Sequence, residues 1–86
     1  MSYTVSFGRQ AEKELRRKIH PQAAEKVRAA IAALADDPYP KESRKLQGAE
    51  GYRLRVGRDY RVMYLVYEEA QEITITRVGA REGFYG

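Results

Sequence analysis

Apolar and polar residues alternate with a period of two over Tyr52–Val56 and again over Tyr60–Tyr67, which predicts a β-hairpin. In the first run Tyr52, Leu54 and Val56 alternate with Arg53 and Arg55. In the second, Tyr60, Val62, Tyr64 and Val66 alternate with Arg61, Met63, Leu65 and Tyr67. Gly57, Arg58 and Asp59 lie between them and have turn composition. A three-residue loop sets Val56 opposite Tyr60, Arg55 opposite Arg61, Leu54 opposite Val62 and Arg53 opposite Met63, so apolar meets apolar on one face. A two-residue loop spoils the match, because a slip of one residue exchanges the faces. The preferred register places two like charges directly opposite, which is destabilising by roughly 0.2–1 kcal/mol on the scale of cross-strand pairs.

The pattern elsewhere predicts the remaining elements. Tyr3–Phe7 alternates Tyr3, Val5 and Phe7 with polar residues and reads as a first strand ended by Gly8. From Gln10 to about Ile19, Ala11, Leu15 and Ile19 recur every four residues in an otherwise charged segment, as in an amphipathic helix. His20-Pro21 breaks it, and Pro21 suits the first turn of a second helix running to about Ala35, with Ala24, Val27, Ile31 and Leu34 as its apolar stripe. Asp36–Pro40 forms a loop, and residues 41–51 form a basic connector whose Leu46 is expected to enter the core. After a polar turn at 68–71, the β-branched run 72–78 reads as a strand. Its faces are poorly sorted, which points to a central position with burial on both sides near Ile75.

The expected fold is therefore α+β: an N-terminal strand, a two-helix hairpin and a three-stranded antiparallel meander, with the helices on one face of the sheet. The apolar hairpin face meets the helices and the arginine face looks toward solvent. At 86 residues, the chain forms one domain over 1–86. No repeat, linker or low-complexity tract interrupts it.

Charge changes this picture more than composition does. Residues 41–61 hold seven of the 16 basic residues and three of the 12 acidic ones, so the whole net charge of +4 falls in that segment. Such a localised patch fits a polyanion, most simply nucleic acid, or an acidic protein partner. The three guanidinium groups of Arg53, Arg55 and Arg61 on one sheet face read either as an anion site or as a solvated basic face. With no cysteine there is neither a disulfide framework nor thiolate chemistry, and a reducing, cytoplasmic setting fits. No apolar run approaches the roughly 18–20 residues of a membrane span, and the N-terminus lacks the layout of a signal peptide.

The remaining chemistry is that of arginine and tyrosine. The single histidine, His20, sits at a helix boundary and reads as a capping or surface residue. No carboxylate cluster has metal-ligand spacing, and no Gly-rich phosphate loop precedes a helix. Arginine stays protonated and its planar fork suits phosphate oxygens. Arg53, Arg55, Arg61 and Arg81 could hold a scissile phosphate and stabilise the charge that develops on it. Tyr85 reads either as a base-stacking, proton-exchanging residue over the arginine face or as a frayed terminal residue.

Taken together, these residues resemble the RelE/ParE superfamily of toxins from toxin–antitoxin pairs. The likeness covers nearly the whole chain: the opening strand and helix, the Lys45-Leu46-Gln47-Gly48 connector, the hairpin from Tyr52 to Tyr64, and Arg77-Val78-Gly79-Ala80-Arg81 followed by Tyr85. For the RelE-like branch, the resemblance implies a ribosome-dependent endoribonuclease that cuts mRNA in the A site, through attack of the 2′-OH on the adjacent phosphate, with no metal or other cofactor. By position, Arg61 would stabilise the transition-state charge, with Arg81 assisting there or at the leaving oxygen. Arg53 and Arg55 match basic positions, and Tyr85 matches the late tyrosine that stacks on an mRNA base and moves a proton. Lys41, Arg44 and Lys45 would contact ribosomal RNA, and Arg58 belongs to the same RNA-binding surface.

Two departures bear on the chemistry. Arginine at 53 and 55, where members often carry lysine, is a poor general base, which leaves Tyr85 for that role. Ala80 stands where many members carry histidine. The implied partners are a cognate antitoxin, the ribosome and mRNA, with promoter DNA reached only through the antitoxin complex, and no membrane. Two other readings stand beside this one: a ParE-type DNA gyrase inhibitor that is not a nuclease, and an inactive toxin-fold binding partner.

Overall fold

The computed structural model describes residues 2–80, and among them no helix is long and apolar enough to cross a membrane. The strands are β1 (Thr4–Phe7), β2 (Ser43–Lys45), β3 (Tyr52–Val56), β4 (Tyr60–Tyr67) and β5 (Glu72–Ala80), and the helices α1 (Arg9–Arg17) and α2 (Pro21–Ala33) lie between β1 and β2. They build one five-stranded sheet in the order β1-β5-β4-β3-β2. β1 is parallel to β5 and the other neighbours are antiparallel.

The α+β class and the meander are as the pattern predicts. Gly57-Arg58-Asp59 does form the loop, and the pairs Val56–Tyr60, Arg55–Arg61, Leu54–Val62 and Arg53–Met63 have the expected register. Both helices end two residues short of the predicted limits. Ile19 and Leu34 nevertheless remain buried just beyond them. His20 does cap α2: its Nδ1 accepts a hydrogen bond from the Gln22 backbone N–H at 3.2 Å, with Pro21 in the first turn.

The connector differs from expectation in two ways. It contributes an edge strand, β2, in which only Ser43 is buried. That strand exists through backbone pairing with β3, so apolar alternation does not reveal it. Leu46 does not enter the core but lies half-buried on the outer side of the sheet beside Met63. The connector is pinned there because the Leu46 N–H donates to the Gly51 carbonyl at 3.0 Å. Gly51 has φ +109°, and a Cβ would stand 2.7 Å from the Tyr64 carbonyl oxygen, so only glycine fits.

On the inner face Leu54, Val56, Val62, Tyr64, Ile73, Ile75 and Val78 pack against Ala11, Leu15, Ile19, Val27, Ile31 and Leu34 from the helical layer. Burying each large aliphatic side chain contributes about 1.5–3 kcal/mol, which is how so short a chain holds its sheet. Tyr64 also donates its hydroxyl to the Pro38 carbonyl at 2.6 Å, tying the loop after α2 to the sheet. Tyr64→Phe is expected to cost about 1 kcal/mol, because the carbonyl loses its partner in a dry environment. Thermal unfolding checks this as a drop in Tm of roughly 4–8 °C.

The poorly sorted faces of the last strand have a structural cause. Met63 pairs with Arg77 but Tyr64 pairs with Ile75, so Thr76 is an extra residue, a β-bulge. Ile73 and Ile75 face the core before the bulge and Val78 after it, which shifts the period by one. Thr76 donates its hydroxyl to the Met63 carbonyl at 3.1 Å. β1 reaches only as far as Ile75, leaving the later part of β5 without a strand on that side. Glu14 of α1 fills the gap. Its carboxylate is 2% exposed, accepts from the Val78 N–H at 2.9 Å, and receives Arg77 through Nε at 3.0–3.1 Å and Nη2 at 2.9 Å. Burial alone would raise the pKa of this carboxyl. The hydrogen bonds from Arg77, Val78 and Gln10, together with the Arg77 charge, outweigh burial and hold it below its ordinary value.

Candidate nucleic-acid interface

The hairpin register decides which side chains share the outer face. One cross-strand row runs Arg44, Arg53, Met63 and Arg77, and the next runs Arg55, Arg61 and Gly79. The rows are two residues apart, about 6.6–6.8 Å along a strand. Between β2 and the hairpin they enclose a cleft of about 190 Å³ lined by Lys41, Glu42, Arg44, Arg53, Arg55 and Arg61. Around the hairpin turn a second hollow is lined by Arg55, Gly57, Arg58 and Arg61.

Two of the cleft cations, Arg44 and Arg61, are held by backbone carbonyls. Arg44 donates Nη1 to the carbonyls of Lys41 and Ser43, each at 2.8 Å. Arg61 donates Nη1 to the Tyr60 carbonyl at 3.0 Å and is half-buried, whereas Arg55 is exposed. Neither Arg55 nor Arg61 has an ion pair with a carboxylate among the described residues. Among the described residues Glu42 is the one acid on the cleft wall, and its carbonyl accepts the Arg55 N–H at 3.2 Å. Directly opposed guanidinium groups without an anion repel one another, and a phosphate between them would reverse the sign of the local field.

Of the residues singled out from sequence, the structure brings Lys41, Arg44, Arg53, Arg55 and Arg61 to one cleft and places Arg58 at its turn end. Lys45 differs: it pairs with Tyr52 at the exposed end of β2 and lines the neighbouring hollow, with Arg44 and Arg53, rather than the cleft itself. Arg81 and Tyr85 lie outside the described residues.

The sequence reading missed Glu14 and Arg77. The available signal was a carboxylate three residues after Ala11 and beside Leu15, on the apolar stripe of α1. It also missed Gln47 and Met63, which line a hollow continuous with the cleft.

The opposed arginines yield a direct prediction. Arg55→Glu turns a repulsive cross-strand pair into an attractive one and is expected to raise stability by about 0.5–1 kcal/mol. Affinity for single-stranded RNA should fall in the same variant. Urea unfolding and an RNA titration read the two effects separately, and their opposite signs mark residues kept for binding rather than for stability.

Comparison with known proteins is consistent with this geometry. Residues 5–83 match the family described as ParE toxin of type II toxin-antitoxin system, parDE. "Putative toxin RelE1" of Methanocaldococcus jannaschii is 33% identical over 99% of this chain and 97% of its own length. In the Mycobacterium tuberculosis toxin–antitoxin complex RelBE2, a chain superposes with a TM-score of 0.83 at 27% identity, covering 94% of this chain and 100% of that one. In the archaeal RelE–RelB complex of Pyrococcus horikoshii, the corresponding values are 0.80, 30%, 94% and 97%. The chain belongs to the RelE/ParE superfamily, the toxins of type II toxin–antitoxin systems.

Proposed function

We propose that this toxin is a ribosome-dependent, metal-independent endoribonuclease that cleaves mRNA in the ribosomal A site. The observation that carries the reading is Arg55 directly opposite Arg61 on an exposed sheet face, with Arg53 in the adjacent row and no carboxylate paired with either of the opposed guanidiniums among the described residues. This arrangement suits a scissile phosphate. Attack by the neighbouring 2′-oxygen on phosphorus forms one P–O bond and breaks the bond to the 5′-oxygen. Cyclic phosphate and a 5′-hydroxyl result. The proton lost by the 2′-OH balances the proton gained by the leaving oxygen. Negative charge grows on the non-bridging oxygens, and Arg61, fixed by the Tyr60 carbonyl, is the group that meets it. Arg55 and Arg53 hold the flanking backbone.

Arginine stays protonated at neutral pH and cannot act as the base, so proton transfer falls to Tyr85, with Arg81 assisting at phosphate or leaving oxygen. Lys41, Arg44, Lys45 and Arg58 contact RNA around the cut. The cognate antitoxin is the second partner: solved relatives are complexes of RelE with RelB, and an antitoxin that covers the basic face would block the cleft. Promoter DNA is reached only through that complex, and the setting is the cytoplasm.

The reading is tested by adding the purified protein to programmed ribosomes and mapping mRNA ends, with naked RNA as control. A second reading, DNA gyrase inhibition without nuclease activity, is favoured by the ParE description of the matching family. It predicts intact mRNA and blocked supercoiling in the parallel gyrase assay.

A further inference from the structure

Immediately beside the arginine cleft, the outer face holds a hollow of about 660 Å³ whose lining includes Arg44, Leu46, Gln47, Ala49, Arg53 and Met63. It shares Arg44 and Arg53 with the cleft. Its chemistry is different. Met63 and Leu46, both half-buried, supply an apolar surface at the sheet. The Arg44 guanidinium, immobilised by two carbonyls, supplies a fixed planar wall. Gln47 is exposed, and its amide has no hydrogen-bond partner among the described residues. The loop that carries Gln47 is closed at its base by the bond from Leu46 to Gly51 and held against β4 by the close approach of Gly51 to Tyr64.

We propose that this hollow is a nucleobase subsite that takes the base of a nucleotide adjoining the phosphate in the arginine cleft. The inference rests on the phosphate reading of that cleft. The base lies on Met63 and Leu46 beside the plane of Arg44, since splayed bases of single-stranded RNA bind on apolar and guanidinium surfaces. The Gln47 amide reads its edge. A glutamine presents a donor and an acceptor side by side, which matches N6 and N7 of adenine, so adenine is the preferred base.

The test uses the full chain labelled for NMR and two probes, the trinucleotide ApApA and the same trinucleotide with an abasic central residue. The expected result is that ApApA shifts the amides of Leu46, Gln47 and Ala49 and the Met63 methyl together with the cleft arginines, whereas the abasic probe shifts only the cleft. In titrations, ApApA should bind about 10-fold tighter than UpUpU, and Gln47→Ala should erase that ratio. Shifts at the cleft with none at the hollow, or equal affinity for the two trinucleotides in the wild type, overturn the subsite and leave the phosphate reading standing. No shift at the cleft with either probe overturns both.

Discussion

Arg61→Ala is expected to lower cleavage of ribosome-bound mRNA by about 10²–10³-fold, the usual effect of removing one preorganised donor from a developing oxyanion. The loss should appear in the single-turnover rate and leave the fold intact. Arg61 is half-buried, and its bond to the Tyr60 carbonyl fixes the side chain without supporting the core. Removing it also relieves the repulsion from Arg55, so Tm should stay level or rise slightly. Arg61→Lys retains the charge but loses the planar fork, and its rate should fall between those of wild type and alanine variant. A collapse of Tm in Arg61→Ala would mean that the side chain is structural and that the site lies elsewhere.

Glu14→Ala is expected to have the largest effect on stability, a loss of about 2–3 kcal/mol. It strands the Val78 N–H in the interior and removes the charged partner of Arg77. For a domain of this size, the corresponding fall in Tm is about 10–20 °C. The same residue gives the protein an acid limb. Its pKa is depressed in the folded state, so its stabilisation is fully present above the ordinary carboxylate range. That contribution disappears as pH falls through the lowered folded value. Glu14→Gln keeps the shape without the charge, and its stability should vary less with pH below the ordinary range than that of the wild type. Urea unfolding at a series of acidic pH values checks this, and parallel pH curves for the two proteins would contradict it.

The hairpin was legible in sequence because its two faces differ so strongly in polarity that only one register satisfies both, even at the cost of opposing Arg55 and Arg61. The arginine side of the site followed from that register alone. β2 was not legible, since a three-residue edge strand held by backbone bonds leaves no apolar signature in Ser43–Lys45. The bulge at Thr76 was visible only as disorder in the pattern of the last strand, because a one-residue insertion exchanges faces partway along it. Glu14 was hidden by averaging: α1 is so rich in charge that one carboxylate turned inward resembles those turned outward. The Gln47 hollow was invisible because it depends on the connector bringing Leu46 and Gln47 to the same hollow as Met63, a juxtaposition of segments that periodicity does not connect.

The most direct test of the central claim is end-mapping of mRNA on programmed ribosomes treated with this toxin, beside naked RNA and the Arg61→Ala variant. Ribosome-dependent cleavage predicts 5′-hydroxyl ends within A-site codons, present only with ribosomes and lost with Arg61→Ala. Intact mRNA under conditions in which the protein still halts growth would contradict it, and would move the function of the arginine face from phosphate chemistry to protein binding.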